Sequence, residues 1–557
     1  MQTRAFRAMV MVWLAVLVGG SWVAAQEVPQ ANKVLPSQID KVFERWDRPG
    51  SPGCAVGVDQ HGKVVYTQGY GMANLEYGIR IRPETIFESG SVAKQFTAAA
   101  IALLVQDGKL SLGDPVRKYV PELPDFGVPI TIQHFLNHTS GIRSQWPLLT
   151  LAGRPPGKAV HTIDEILELV SREKELNFKP GDEYLYNNTA FVLLGVIVER
   201  ASGKPFAEFS QERLFRPLGM TQTRWRTDFT AIVENRATAY SRQSDGSFRT
   251  NMSFTNVYGN GGLLTTVGDL LIWNENLDTP RVGGRAMVDQ LQTRGRLNDG
   301  FENEYAQGLS VSAYRGVREI SHSGSTAGYQ TFLSRFPDDH LSVAVLCNTT
   351  GTAPTTYAHE VADLFLGAKL KEVVKPTAAP VALDVLQKLA GVYRDPHTDA
   401  VLRLVYDADK KTLGPPGATG LVPTGAGRFS TQNGAMTFTV ERPDSSGPTR
   451  LVQSDGRSKP VTWVAEAPFA PTPEQLASYA GDYYSDEIDT LYHVRVEKGA
   501  LVARFRPAMR VSLLPVFTDG FEGDGNVLRF TREASSGRID GFRVYAGRVR
   551  HLKFVRR

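Results

Sequence analysis

The chain has 557 residues, which is too long for a single hydrophobic core, so two to four domains are expected. Hydrophobic residues make up 42% of the sequence and charged residues 22%, as in an ordinary globular protein. The formal net charge of only +4 gives no electrostatic basis for binding nucleic acid or an anionic membrane surface.

Residues 1–25 have the pattern of an export signal. Arg4 and Arg7 provide a positively charged start, residues 9–18 form an apolar run, and Val23-Ala24-Ala25 is a small-residue cleavage site before Gln26. The run is about half of the ~20 residues needed to span a bilayer. We therefore expect cleavage near Ala25-Gln26 and a mature protein that is periplasmic or secreted and has no membrane span.

The sequence contains two cysteines, Cys54 and Cys347. Each lies in a short apolar run, CAVGV (54–58) or LSVAVLC (341–347), that predicts a buried strand. Export would permit a disulfide, but two thiols cannot form a disulfide framework. The sequence therefore favours two buried free cysteines.

Residues 36–370 combine strands and helices. The segment 51–71 predicts two strands joined by a turn at His61-Gly62. Segments 91–110 and 188–203 have helical apolar spacing and end near Gly108 and at Gly203. Residues 329–336 and 341–347 predict paired central strands around the turn 337–339. Strands at both ends with helices between them indicate one α+β domain whose first and last strands share a sheet.

The composition changes after residue 370. Residues 371–382 are expected to form a linker, and the remainder consists of short alternating strands separated by turns. LQKLAGVYRD (386–395) aligns with LASYAGDYYS (476–485) at an offset of 90, and FTVERPDSSG (438–447) is similar to FTREASSG (530–537). This repeat predicts two small antiparallel β-barrels, at 383–468 and 472–557.

GSVAK (90–94) is the segment with the clearest chemical signal. Ser91 stands where a helix begins, so it meets the positive end of the helix dipole and its N–H is free to hold an oxyanion. Lys94 lies one turn further along the same helix face. A lysine can take the serine proton if burial keeps the amine neutral. The alternative is a helix cap followed by a solvated lysine, because S-x-x-K also occurs by chance.

Three further segments accompany GSVAK in a fixed order. Residues 87–116 resemble the nucleophile helix of class C β-lactamases and related penicillin-binding proteins, and TIQHFLNHTSGI (131–142) resembles their L-x-x-H-T-S-G loop. Residues 180–203 contain Y-x-N, and HSGSTAGY (322–329) lies where the family has K-T-G or H-x-G. The resemblance covers roughly 36–370 and implies an antiparallel sheet flanked by helices, followed here by two lipocalin-like barrel repeats.

The resemblance implies a role for each matching residue. Ser91 would form the acyl-enzyme with Lys94 as its general base. Tyr186 would carry protons to the leaving group and later help to activate the deacylating water. Asn188 would bind the substrate amide carbonyl and steady Lys94. The strand that carries His322 and Gly324 would provide a second oxyanion N–H at Ser325. No cofactor or metal is implied.

The same residues also have ordinary structural interpretations. Tyr186 would otherwise be a packed core tyrosine, Asn188 a helix cap and His322 a structural histidine. We interpret His138 and Ser140, in the HTSG loop, as loop-stabilising residues and not as catalysts.

His322 departs from the β-lactamase pattern, in which a lysine binds the substrate carboxylate and lowers the tyrosine pKa. A histidine with an ordinary pKa is mostly neutral above about pH 6.5. It is expected to support Tyr186 by hydrogen bonding more than by charge, and to make activity depend on pH near neutrality. Strong β-lactamase activity is not expected.

The two-barrel tail resembles the layout of the three-domain D-aminopeptidases, in which a loop of the last barrel restricts the active site. The acidic segment TDGFEGDGN (518–526) is the candidate here, with Asp519, Glu522 or Asp524 meeting a substrate amine. A plain turn is the favoured interpretation of this segment.

The sequence thus predicts an exported serine hydrolase of the D-aminopeptidase or peptidase type, acting on a small amide, D-amino-acid peptide or ester, including cell-wall-derived peptides. A carboxylesterase, a weak β-lactamase and a non-hydrolytic penicillin-binding sensor are the alternatives. The barrels have a further interpretation as a glycan- or protein-binding module.

Overall fold

The computed structural model describes residues 34–441, 447–506 and 509–557. The predicted export signal lies outside these residues. Among the helices in the described ranges, none is long and apolar enough to cross a membrane.

Residues 36–370, which the sequence predicts to be the catalytic domain and which are given that name below, form an α+β domain as predicted. Its strands are β1 (Cys54–Gln60), β2 (Lys63–Tyr70), β3 (Met72–Asn74), β4 (Ile79–Arg80), β5 (Phe87–Glu88), β6 (Arg224–Trp225), β7 (Tyr240–Arg242), β8 (Phe248–Thr250), β9 (Leu263–Thr265), β10 (Ser310–Tyr314), β11 (Val317–Thr326), β12 (Tyr329–Phe336) and β13 (Leu341–Cys347). Its helices are α1 (Pro36–Phe43), α2 (Lys94–Gln106), α3 (Ile132–Leu136), α4 (Gln145–Leu151), α5 (Ile163–Ser171), α6 (Asn188–Ser202), α7 (Phe206–Ser210), α8 (Arg216–Leu218), α9 (Val267–Asp278), α10 (Gly284–Gln292) and α11 (Pro354–Leu366).

The main sheet joins the two ends of this domain. Its six strands run in the order β10-β11-β12-β13-β1-β2, and all neighbours are antiparallel. Side chains alternate between the two faces of a strand. Val56 and Val58 of β1 therefore pack with α1 and α11 on one face, whereas Ala55 joins the core around α2 and α9 on the other. The predicted turn at His61-Gly62 joins β1 to β2, and both residues have positive φ.

The expectation of two free cysteines is wrong. Strands β1 and β13 pair so that Cys54 lies directly opposite Cys347, and the two form a disulfide across a separation of 293 residues. The apolar pattern identified both buried strands, but only their pairing register brings the two sulfurs together.

No helix or strand is present at 371–382, and the two repeats follow. The first contains α12 (Leu383–Leu389), β14 (Gly391–Arg394), β15 (Val401–Asp407), β16 (Thr412–Gly414), β17 (Val422–Gly425), β18 (Arg428–Ser430), β19 (Thr437–Glu441), β20 (Arg450–Ser454) and β21 (Val461–Ala465). The second contains α13 (Pro473–Tyr479), β22 (Gly481–Ser485), β23 (Thr490–Glu497), β24 (Ala500–Phe505), β25 (Met509–Phe517), β26 (Gly520–Gly523), β27 (Asn526–Arg532), β28 (Ile539–Tyr545) and β29 (Leu552–Arg556).

Equivalent contacts support the predicted repeat. The hydroxyl of Tyr393 donates to the carbonyl of Leu389, and the hydroxyl of Tyr483 donates to that of Tyr479, each joining the first strand to the helix before it. These short helices were not part of the sequence-based prediction, which had strands alone. The second repeat closes into an eight-stranded barrel through pairing of β22 with β29, whereas the first is an eight-stranded sheet with β16 and β17 at its edges.

The closed barrel shares its core with the catalytic domain. Buried aromatic rings fill its interior and leave a cavity of about 80 Å³. The hydroxyl of Tyr492, inside the barrel, donates to the carbonyl of Leu151 at the end of α4, 2.8 Å away. The buried Arg143 forms an ion pair with Glu487 of the barrel at 2.9 Å. These contacts fix the position of the barrel relative to the catalytic domain.

Candidate active site

The candidate nucleophile lies at the start of the central buried helix. A 3-10 turn, Gly90–Ala93, leads directly into α2, so Ser91 occupies its N-terminal side as predicted. Ser91 is partly exposed, whereas residues 92–100 are all buried. Gly90 has a φ of +53°, a conformation that residues with a Cβ rarely adopt. The turn therefore presents a single accessible hydroxyl on a rigid helix.

Lys94 is fully buried next to Ser91. Its Nζ lies 3.1 Å from the Ser91 hydroxyl oxygen, 2.9 Å from Oδ1 of Asn188 and 2.6 Å from the carbonyl oxygen of Asn260. Burial holds the pKa of Lys94 well below its usual range, and the positive charge of Arg548 lowers it further. A neutral amine donates two hydrogen bonds to these carbonyl oxygens and keeps its lone pair for the Ser91 proton.

Tyr186 and Asn188 are placed by the start of α6. Asn187, not Asn188, is the helix cap, because its Oδ1 accepts from the N–H of Ala190 at 2.9 Å. The capping alternative for Asn188 is therefore wrong, and its side chain contacts Lys94 instead. The Tyr186 ring lies 4.9 Å from the Lys94 nitrogen.

The environment of Tyr186 keeps its hydroxyl protonated. Burial raises the pKa of Tyr186 above its usual range, while the adjacent Ser91 hydroxyl and the Arg548 cation act in the opposite direction. Its hydroxyl makes no well-aligned hydrogen bond within the described part of the chain. A lysine whose pKa is lowered and a tyrosine whose pKa is raised thus flank the same serine, so the lysine is suited to accept a proton and the tyrosine to donate one.

Strand β11 brings the second predicted oxyanion donor to the nucleophile turn. A Cβ added to Gly90 would lie 2.6 Å from the backbone nitrogen of Ser325, and one added to Gly324 would lie 2.1 Å from the carbonyl oxygen of Ser89. The Thr331 hydroxyl, on β12, donates to that same carbonyl at 2.7 Å. The backbones of Ser91 and Ser325 are therefore held side by side, as an oxyanion hole requires.

His322 does not behave as the sequence suggests. Burial is the main cause that lowers the pKa of His322 to about 3, so its imidazole stays neutral around pH 7. Its Nδ1 lies 2.6 Å from the carbonyl oxygen of Ser323, and its Nε2 lies 3.1 Å from the hydroxyl of Tyr305. The expected hydrogen bond to Tyr186 and the expected titration near neutrality are both wrong.

His138 has the predicted loop-stabilising contacts. It is fully buried, its Nδ1 accepts from the N–H of Asn187 at 3.1 Å, and its carbonyl accepts from the N–H of Leu185 at 2.9 Å. These bonds tie the HTSG loop to the segment that carries Tyr186. Ser140 is likewise buried in this loop.

Two cavities meet at Ser91. One, of about 420 Å³, has an apolar wall formed by Trp146, Met252, Phe254 and Val257. The other, of about 780 Å³, is lined by Tyr186, His322, Arg548 and neighbouring residues. Ser91, Asn188 and Ser325 line both. The first cavity thus has an apolar wall, and the second lies beside Tyr186, His322 and Arg548.

The acidic segment 518–526 does not reach these cavities. Asp519 forms an ion pair with Arg532 at 2.7 Å, Glu522 lies 3.5 Å from Arg403, and Asp524 lines the small cavity of the barrel. The favoured interpretation as a plain turn is wrong, because Gly520–Gly523 form strand β26 between two short turns.

Sequence reasoning missed Tyr305, the partner of His322, and Arg548, whose guanidinium carbon lies 4.7 Å from the centre of the Tyr186 ring. Arg548 belongs to the turn between β28 and β29 of the second barrel. No motif marks either residue, and only the docking of the barrel brings Arg548 to the cleft.

Comparisons with known proteins agree with this geometry. A family model described as "Beta-lactamase" matches residues 39–367. A D-aminopeptidase of Brucella canis is 26% identical over 84% of this chain and 86% of its own length. A D-aminopeptidase of Brucella anthropi is 28% identical over 91% of this chain and 95% of its own.

Among solved structures, an octameric penicillin-binding protein homologue from Pyrococcus abyssi covers 89% of this chain and 97% of its own, with a TM-score of 0.53 and 24% identity. A D-stereospecific amidohydrolase from Streptomyces covers 60% of this chain and 99% of its own, with a TM-score of 0.50 and 23% identity. At these identities the likeness concerns the fold.

Proposed function

We propose that this chain, a serine hydrolase that belongs to the beta-lactamase family, hydrolyses small peptides or amides in which a D-amino acid supplies the acyl group. The observation that carries the proposal is the buried Lys94, whose amine lies 3.1 Å from the Ser91 hydroxyl with its pKa held well below normal. The D-aminopeptidases that resemble the chain over 84% and 91% of its length support the choice of substrate.

Acylation uses the residues in the positions described. The Ser91 oxygen attacks the substrate carbonyl carbon while its proton passes to neutral Lys94. The N–H groups of Ser91 and Ser325 hold the oxyanion. Tyr186 then gives its hydroxyl proton to the leaving nitrogen as the carbon–nitrogen bond breaks, and protonated Lys94 returns a proton to Tyr186.

In deacylation a water molecule takes the place of Ser91 as the nucleophile. A water molecule that has replaced the leaving amine gives a proton to Lys94 and attacks the ester carbonyl. The bond to Ser91 then breaks, and the serine oxygen recovers a proton from Lys94. The resting site is restored with one amide bond hydrolysed.

The test compares amides and methyl esters of D- and L-phenylalanine, together with a fluorescent penicillin, on wild type and Ser91→Ala. We expect Ser91-dependent turnover of the D-amide in preference to the L-amide. Turnover of esters alone would favour a carboxylesterase. A penicillin adduct without turnover of any amide or ester would contradict the proposal and favour a binding sensor.

Export to the periplasm or the medium is a second part of the proposal. It rests on the pattern of residues 1–25 and is supported by the disulfide between Cys54 and Cys347, since disulfides persist mainly in oxidising compartments. Cell-wall-derived peptides would be accessible there. Fractionation of cells followed by intact mass is expected to find a chain that begins at Gln26; a cytoplasmic chain that retains Met1 would contradict export.

A further inference from the structure

The turn between β28 and β29 of the second barrel enters the catalytic cleft. Ala546 and Val549 exchange backbone hydrogen bonds of 2.8 and 3.3 Å, which leaves Arg548 near the tip of a tight turn. The Arg548 carbonyl accepts from Nδ2 of Asn177 at 3.1 Å, and the N–H of Arg550 donates to Oδ1 of the same asparagine at 2.8 Å. The catalytic domain thus holds this turn through its backbone, independently of the Arg548 side chain.

The guanidinium of Arg548 is an uncompensated cation. It lies over the Tyr186 ring at 4.7 Å and lines the cavity beside Ser91. Over residues 34–441, 447–506 and 509–557, its side chain has no carboxylate partner. By contrast, Arg543 and Arg550, on the same hairpin, pair with Glu175 and Glu183 of the catalytic domain, each at 2.8 Å. Arg548 is therefore available to an anionic ligand.

Among the described residues that line the two cavities, none has an unpaired carboxylate that could neutralise Arg548. Glu88 is the one acidic residue there, and it pairs with Arg226 at 3.0 Å and Arg236 at 3.3 Å. The neighbouring His322 is neutral because its pKa is about 3. The cavity beside Tyr186 therefore favours a negative group on the substrate over an ammonium.

The position of Arg548 also defines which part of the substrate it meets. Tyr186 protonates the leaving nitrogen in the proposed reaction, and Arg548 stacks on Tyr186, away from the apolar wall of the other cavity. We infer that Arg548 is a specificity-determining residue that binds a carboxylate on the leaving group. Substrates whose leaving group is an amino acid or short peptide with a free terminal carboxylate are then preferred. This inference rests on the proposed function.

The kinetic test compares D-phenylalanyl-glycine with D-phenylalanyl-glycinamide, which differ only in the leaving-group carboxylate. Wild type is expected to favour the acid about tenfold to hundredfold in kcat/KM, as for a hydrogen bond to a charged group. Arg548→Gln removes that preference, mainly through KM, and Arg548→Lys keeps part of it. Arg543→Gln, which removes a cation from the same hairpin away from the cleft, keeps the preference.

Two results would overturn the inference while leaving the proposed function intact. One is equal turnover of acid and amide by wild type. The other is an equal loss for both peptides in Arg548→Gln, which would mean that Arg548 acts only through Tyr186 or on folding.

A binding measurement makes the test independent of turnover. In the Ser91→Ala background, calorimetry is expected to show the acid binding more tightly than the amide, and Arg548→Gln is expected to remove the difference. If wild type hydrolyses neither peptide, the proposed function fails, and the binding difference still decides the carboxylate site. Equal affinities, or no binding of either peptide, would refute it.

Discussion

Replacing Gly90 by alanine tests the claim that the nucleophile turn and β11 together build the oxyanion hole. The new Cβ would lie 2.6 Å from the Ser325 nitrogen, so the two backbones must separate by about 0.8 Å to reach an ordinary contact of 3.4 Å. A displacement of about 1 Å in a catalytic group can lower the rate by ~100-fold, as can loss of one oxyanion donor. We expect Gly90→Ala to lower kcat/KM by about 100-fold for this reason.

Gly203→Ala is the matched control. Gly203 ends α6 with a φ of +74°, close to the left-handed conformation of Gly90, but a Cβ there would have no atom within 4 Å. Both variants therefore incur the left-handed cost of about 1–2 kcal/mol in the free energy of unfolding, and only Gly90→Ala moves the two backbones apart. Thermal unfolding followed by circular dichroism measures the shared cost, and hydrolysis of the D-amide measures the difference. Activity of Gly90→Ala within about threefold of the Gly203→Ala value would refute the reasoning.

Three other predictions follow from the buried ionisable groups. Lys94→Met is expected to lower the acylation rate by about 10²–10⁴-fold without unfolding the protein, because it removes the general base and a buried amine together. Intact mass after mixing with a D-amide measures how fast the acyl adduct forms. Rapid acylation of this variant would contradict the role of Lys94. As pH increases, kcat/KM is expected to rise as Lys94 loses its proton and to fall at alkaline pH as Tyr186 ionises. His322→Gln should leave the midpoint of the rise unchanged, because the pKa of His322 is about 3. A shift of that midpoint in His322→Gln would show that His322 does titrate in the working range. Burial raises the pKa of Glu173, beside Arg143, from 4.5 to about 8, so the folded state retains a proton that the unfolded state loses, and stability falls as pH rises between these values. The free energy of unfolding falls by at most about 1.4 kcal/mol per pH unit from this group, and Glu173→Gln should remove that contribution. Urea unfolding of wild type and Glu173→Gln from pH 5 to 8 measures it. The same pH dependence in both proteins would contradict the prediction.

The central residues of the candidate site were predicted from local sequence patterns. Ser91 and Lys94 lie three residues apart, so a helix alone places them on one face, and the structure has that helix. Tyr186 and Asn188 were predicted from a family motif, and the structure brings both to Lys94. The catalytic roles of Ser91 and Lys94 remain predictions that Ser91→Ala and Lys94→Met test, and the roles of Tyr186 and Asn188 remain predictions.

The errors concern groups whose properties depend on distant neighbours. Cys54 and Cys347 were placed correctly in buried strands, but their pairing depends on the register of β1 against β13. His322 was assigned an ordinary pKa because sequence carries no measure of burial, which lowers that pKa to about 3.

The sequence by itself determined the order of the domains, the nucleophile helix, the hairpin at His61-Gly62 and the repeat in the tail, because periodicity and turn chemistry act over short distances along the chain. The tertiary structure alone decided that the pKa of Lys94 is held well below its usual range, since the desolvation of its amine comes from residues far away in sequence. It also decided that the cation beside Tyr186 is Arg548, supplied by a turn of the last barrel. A charge acts through space, and its neighbours in space are set by how the barrel packs against the catalytic domain.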